Sequence, residues 1–277
     1  GEAALPEGCA LALVHAVNPY GFAWNRRVNE DNIDQNRNFL RAGEAAEGAE
    51  EGYRVLDGLL NPRTPPGGLD LFLPQAAWNL LRKGLPALKS AIAVGQYEYP
   101  HGLFYGGRAP SASQRVLAAE LPRWFGDAER VVVLDLHTGA GKWGTYALGV
   151  SEDAQSAGAR WLRDHFGDRV QGLSSDGVLY PIRGVLGAWL QEQLPESEVL
   201  CMLAEFGTRN VVAVLRAIRD ENRAHHWGQP DAPATKKARA AMMEAFAPSD
   251  PAWRRDCVRQ AVAVAEQARA TLAEPTP

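Results

Sequence analysis

The run RVVVLDLH at residues 130–137 constrains the fold of this chain more than any other segment. It is an almost unbroken stretch of valine and leucine, as expected of a strand covered on both faces in a sheet flanked by helices. Downstream, helix 153–166, strand 169–174, helix 183–194 and strand 198–204 alternate, and 208–226 and 234–272 read as mainly helical. Upstream, LALVHAV (11–17) and AIAVGQ (91–96) are strand-like. Helical spacing covers 44–60, 74–89 and 114–125, the last with Ser111 or Ser113 as its cap. Strands alternating with helices predict an α/β fold around a mixed, mostly parallel sheet. No repeat, low-complexity tract or linker divides the chain, so 1–277 reads as a single domain.

Several function classes are excluded by composition. With 29 basic and 33 acidic residues the net charge is −4, which leaves no case for a nucleic-acid or anionic-membrane partner. No apolar run approaches the roughly 20 residues of a membrane span. Cys9, Cys201 and Cys257 are far apart and odd in number, and read as reduced thiols; this favours a cytoplasmic setting.

Four polar islands carry candidate chemistry, three of them just after strand-like runs, where α/β sheets bind ligands. In DLHTG (135–139), His137 closes an apolar strand, and Asp135 shares its side of the strand and can orient the ring. Taken alone, a histidine there is read first as a core-edge residue bonded to backbone. AEFGT (204–208) sets Glu205 behind six mostly apolar residues, where a carboxylate is costly unless paired or opened to a cleft. A raised pKa would suit it to base catalysis. YPIRG (180–184) adds Tyr180 and Arg183. The most specific island is RRVNEDNIDQNRNF (26–39), preceded by NPYGF (18–22). Its arginines suit carboxylate recognition and carbonyl polarisation, and its short asparagines suit a hydrogen-bonded loop.

NPYGF resembles the Asn-Pro-Asp-Gly-Phe turn of zinc metallocarboxypeptidases, and DQNRNF resembles their Asp-x-Asn-Arg-Asn-aromatic motif. DLHTG and AEFGT look like the strands bearing the third zinc ligand and the catalytic glutamate, in family order. The wider wording is similar to a bacterial branch of uncharacterised domains within the carboxypeptidase A-like and succinylglutamate desuccinylase–aspartoacylase superfamily. The resemblance spans roughly residues 10–210. It implies a three-layer α/β/α sandwich and zinc-assisted hydrolysis of an amide next to a free carboxylate. His137 matches the zinc ligand, Glu205 the general base and Arg27 the carbonyl-polarising arginine, with Arg26 as fallback. Asn36 and Arg37 match the carboxylate-binding pair; Tyr180 matches the mobile substrate tyrosine, and Arg183 competes for a substrate-binding role. The substrate implied is a peptide or an acyl-amino acid. Alternatives are an aspartoacylase-type N-acyl amino-acid deacylase and a non-catalytic carboxylate-binding relative. The family's other two zinc ligands lie in a His-x-x-Glu motif upstream of NPxGF. Residues 1–17 hold His15 and no such motif, so the expectation is an N-terminally incomplete domain lacking its first strands and binding zinc poorly by itself.

Overall fold

A computed structural model of the chain describes residues 5, 7–67, 70–84, 88, 92, 94–150, 156–172 and 182–272. Its sheet has four strands: β1 (Arg130–Ala140), β2 (Tyr146–Val150), β3 (Val170–Gly172) and β4 (Glu198–Arg209), in the order β1-β4-β2-β3. β1 runs parallel to β4 and β2 parallel to β3, while β2 and β4 are antiparallel. The sheet is therefore mixed and mostly parallel, and the fold is α/β.

Side-chain alternation along β4 divides the core into two layers. Leu200, Met202, Ala204 and Phe206 pack against α5 (Ala157–Phe166) and α9 (Pro251–Thr271) through Leu162, Trp253 and Val264. On the opposite face, Val131 and Val199 pack against α4 (Ala112–Phe125) and α6 (Leu186–Gln193) through Leu117, Leu121, Trp189 and Leu190. Helices on both faces make the three-layer sandwich. α4 starts where the sequence places it: the Ser111 hydroxyl accepts from the Gln114 N–H at 3.2 Å.

A third cluster lies off the sheet, where α2 (Glu51–Leu60), α7 (Val211–Trp227) and α8 (Pro233–Phe246) meet the loop carrying Leu103 and Phe104. α2 begins seven residues later than the sequence spacing predicts, after Gly48, whose φ of 80° is not helical. Of the predicted 74–89 helix, α3 covers Phe72–Lys83. The short α1 (Pro19–Trp24) completes the helices introduced here.

Two predicted strands are corrected. Residues 11–17 run as irregular chain with Leu11, Leu13 and Val14 exposed, since no described strand pairs with them. Of 91–96, the described residues make one isolated bridge, Gln96 to Tyr105. A strand is a pairing as well as a pattern, and among the described residues neither segment has a ladder. Among the described residues no helix is long and apolar enough to cross a membrane.

The last turn of α7 carries His225 and His226, the latter packed on His101 at a ring separation of 4.7 Å. Burial and nearby positive groups push both imidazoles down to about 4; Arg26 acts on both, and His225 lies beside His226. Neutral in the fold and titrating near 6.5 when unfolded, they stabilise the fold fully above about pH 6.5. That contribution is lost as pH falls towards 4. Both residues are partly exposed, so the discounted effect is about 1–2 kcal/mol for the pair. Thermal melts should therefore show a smaller pH 7-to-5 loss in the His225→Gln/His226→Gln double variant than in the wild type. An unchanged loss would remove these histidines as its source.

Candidate active site

The site begins where the apolar layer under α4 and α6 runs out. Val131 and Val133 share a face of β1 with Asp135 and His137, two and four residues further on. The parallel register sets Asp135 beside Leu203 and His137 beside Glu205. The core of the sandwich thus leads directly into a row of titratable groups at the strands' carboxyl ends.

His137 Nε2 lies 2.8 Å from Asp135 Oδ2, in ion-pair contact but without an aligned N–H···O bond. Burial would lower the imidazole pKa; Asp135, and more weakly Glu205, outweigh it and leave the ring more basic than usual. Glu205 stands one strand further in. Burial pushes its carboxyl up to about 7, against the opposing pull of His137 and Arg27. One of its oxygens lies 2.9 Å from where a Cβ on Gly139 would sit, with Phe246 beside it. β1 runs on past His137, where the sequence closes it, to Ala140, and the missing side chain of Gly139 is the space Glu205 occupies.

The polar island folds over this face. Asn18 caps α1, its Oδ1 accepting from the Gly21 N–H at 2.9 Å, and its Nδ2 donates to the Arg27 carbonyl at 3.2 Å. NPYGF therefore fixes the backbone that carries Arg27. Further along, Asn32 Nδ2 donates to the carbonyls of Pro100 and Gly102, and Asn38 Nδ2 to those of Gly106 and Ala109. These two amides lace the loop to residues 100–109, while Asn29 Oδ1, accepting from the N–H groups of Asp31 and Ile33, also holds the loop to itself.

Arg27 keeps a fifth of its side-chain surface open, donates from Nε to Asp34 Oδ2 at 2.9 Å, and lies over the Phe104 ring. Asn36 faces the cleft beside Asp135. Arg37 does not reach the surface: it is 0% exposed, donates from Nη1 to the Asn36 carbonyl, and lies against the same Phe104 ring. Arg26, the fallback, is buried in an ion pair with Glu221 at 2.8 Å. Arg183 is turned to the carbonyls of Ala45 and Glu47 and stacks on Tyr97, so it holds the 45–47 loop. Tyr180 lies outside the described residues. The cluster the structure brings together is Arg27, Asn36, Asp135, His137 and Glu205. Two supporting residues had no assigned role in the sequence. Asp34, which holds Arg27, is signalled by its place in DQNRN; Phe104 has no signal beyond lying in an aromatic, Gly-rich stretch.

An open trough of about 1750 Å³ runs along β1 from Arg130 to His137 and ends at Arg27 and Asn36. Every residue from 130 to 137 lines it, which means it follows the strand's edge rather than one face.

A zinc ion does not fit these residues unaided. A catalytic zinc site needs three protein donors. Among the described residues no group of three His, Cys, Asp or Glu is placed so that it could hold a metal ion, and the His137 Nε2 is turned towards Asp135.

A protein-family model matches residues 1–260, while no curated protein and no solved structure matches the chain.

Proposed function

The chain belongs to the family described as "Protein of unknown function (DUF2817)", a description that assigns no chemistry, and from the site itself we propose a hydrolase acting on an amide bond next to a free carboxylate. The observation that carries this reading is Glu205, a carboxyl raised to about 7 at the end of a strand beside a His–Asp pair. A base is most effective when its pKa lies near the working pH, and this one does.

In this reading Glu205 takes a proton from the attacking water as the C–O bond forms. It returns that proton to the leaving amine as the C–N bond breaks. Arg27 faces the charge that develops on the carbonyl oxygen, and His137, kept basic by Asp135, adds a second positive group there. Asn36 and Arg27 receive the substrate carboxylate, while Arg37 supports their loop from beneath. Zinc, as in the enzymes the sequence resembles, would supply a more acidic water and a polarised carbonyl. The described residues offer it His137 without a complete donor set, and no step above depends on it.

The test is a comparison of N-acyl amino acids and C-terminally free peptides with their amidated counterparts, with and without added zinc. Cleavage is expected for the free carboxylates alone, with a rate that rises with pH up to about 7, because the working form of Glu205 is the deprotonated one. Equal cleavage of amidated substrates, or a flat profile between about pH 5 and 8, would sink the assignment. The incomplete donor set favours a second reading, carboxylate binding without turnover. It predicts that the same compounds bind and stay intact.

A further inference from the structure

Three non-glycine residues among those described have a left-handed backbone: Asn25, Asn32 and Phe104. Asparagine adopts it readily, whereas a bulky aromatic side chain does so only when its surroundings impose it. Here they do. The Leu103 carbonyl accepts from the Tyr53 hydroxyl at 2.7 Å and from Gln96 Nε2 at 3.2 Å. The Leu103 N–H donates to Asn61 Oδ1 at 2.9 Å, and the Phe104 carbonyl accepts from the Gln96 N–H at 3.0 Å. The next carbonyl, Tyr105, accepts from the Asp34 N–H at 2.7 Å. Backbone on both sides of Phe104 is thus pinned, and its φ of 56° follows.

The consequence is where the ring goes. Buried at 6% exposure, it lies against two guanidinium groups at once, with the Cζ of Arg27 and of Arg37 each 5.4 Å from its centroid. Asp34 holds the Nε edge of Arg27. A planar cation held at its Nε edge and seated over a ring has a restricted plane, and that plane decides from which direction an anion can meet its remaining N–H groups.

We propose that Phe104 is a positioning residue for Arg27, its strained backbone holding the ring as the plate that sets the guanidinium plane and hence the approach of a carboxylate or carbonyl oxygen. This rests on the reading of Arg27 as the ligand-facing cation. The ring does not touch ligand itself. Its partner on the inner side is Arg37, which ties the plate to the buried end of the loop.

The experiment is NMR on the ¹⁵N-labelled chain, following the Arg27 Nε–H signal, assigned by its loss in Arg27→Lys. The signal is read in the wild type, Phe104→Tyr and Phe104→Leu, followed by titration with hippurate, an N-acylated amino acid with a free carboxylate. In the wild type and Phe104→Tyr the signal is expected to be ring-current shifted and slow to exchange. Phe104→Leu keeps bulk without a ring, so the shift collapses and hippurate binds about 3–30-fold more weakly, the range of a partly buried cation–π contact. A wild-type Arg27 signal at the position of solvent-exposed arginines overturns the proposal without any variant being needed. So does a Phe104→Leu protein with an unchanged signal and an unchanged hippurate affinity. If the signal tracks the ring while hippurate fails to bind the wild type, the positioning stands and the carboxylate-site reading falls.

Discussion

Glu205→Gln is expected to lower kcat by a factor of about 10²–10⁴, the usual contribution of a positioned acid–base group, with the fold intact. Glutamine keeps the size and loses the proton-accepting capacity. The stability side of this prediction has a definite sign. A carboxyl whose folded pKa is raised from 4.5 to about 7 by burial favours the fold fully below about pH 4.5; that contribution is lost as pH rises through about 7, and above it the ionised group opposes folding. The amide removes that cost, so the variant should melt no lower than the wild type at pH 8. Turnover and melting measured on one preparation separate the possibilities. A variant that melts far lower would make Glu205 an ion-pair anchor for His137 and Arg27. One that melts normally and turns over normally would take it out of the chemistry.

Arg37→Ala is expected to cost about 3–5 kcal/mol of folding stability, the range for breaking a buried charge pair. The side chain is completely buried, with Gly95 so close that a Cβ there would stand 2.7 Å from its Cδ. Its carbonyl accepts from the Tyr97 hydroxyl at 2.7 Å, so the residue ties the 26–39 loop to the 95–106 segment. Asp34, itself 2% exposed, is held below the usual carboxylate range by Arg27 and Arg37 against the opposing effect of its own burial. Losing one of the two cations leaves that carboxylate undercompensated beside a new cavity. Urea denaturation gives the number. A loss below about 1 kcal/mol, joined to a raised KM for free carboxylates, would instead describe an arginine that swings out to meet substrate.

This second prediction marks where sequence reading reached its limit. That Arg37 belongs to a polar, hydrogen-bonded loop was legible in DQNRNF, but whether a guanidinium faces cleft or core is a tertiary property. It was set by residues 95–106, distant in sequence. By contrast, the two apolar runs ending in His137 and Glu205 were legible as strands, while their pairing in register is seen only in the structure. β2 was not legible, and the reason lies in the site. Ala147 and Gly149 sit beside Glu205 and Leu203 in the register. Their small side chains leave room on the site face and at the same time erase the β-branched signal by which strands are recognised. LALVHAV erred in the other direction. Its composition suits a strand, yet Leu13 is 85% exposed with no ladder to join.

β1 is the outermost strand of the described sheet, and its far edge borders open space. Sheet proteins usually blunt such an edge with lysine, proline or a bulge. Here the one register shift falls between Gly139 and Ala140, past the apolar stretch, and Leu136 is 57% exposed. The segment Val131–Leu136 is therefore flat, β-branched and uncharged except at Asp135, the composition that templates intermolecular strand pairing. The expected consequence is concentration-dependent strand pairing between molecules along this edge. Dilution, or a charged side chain in place of the exposed Leu136, is expected to slow that association.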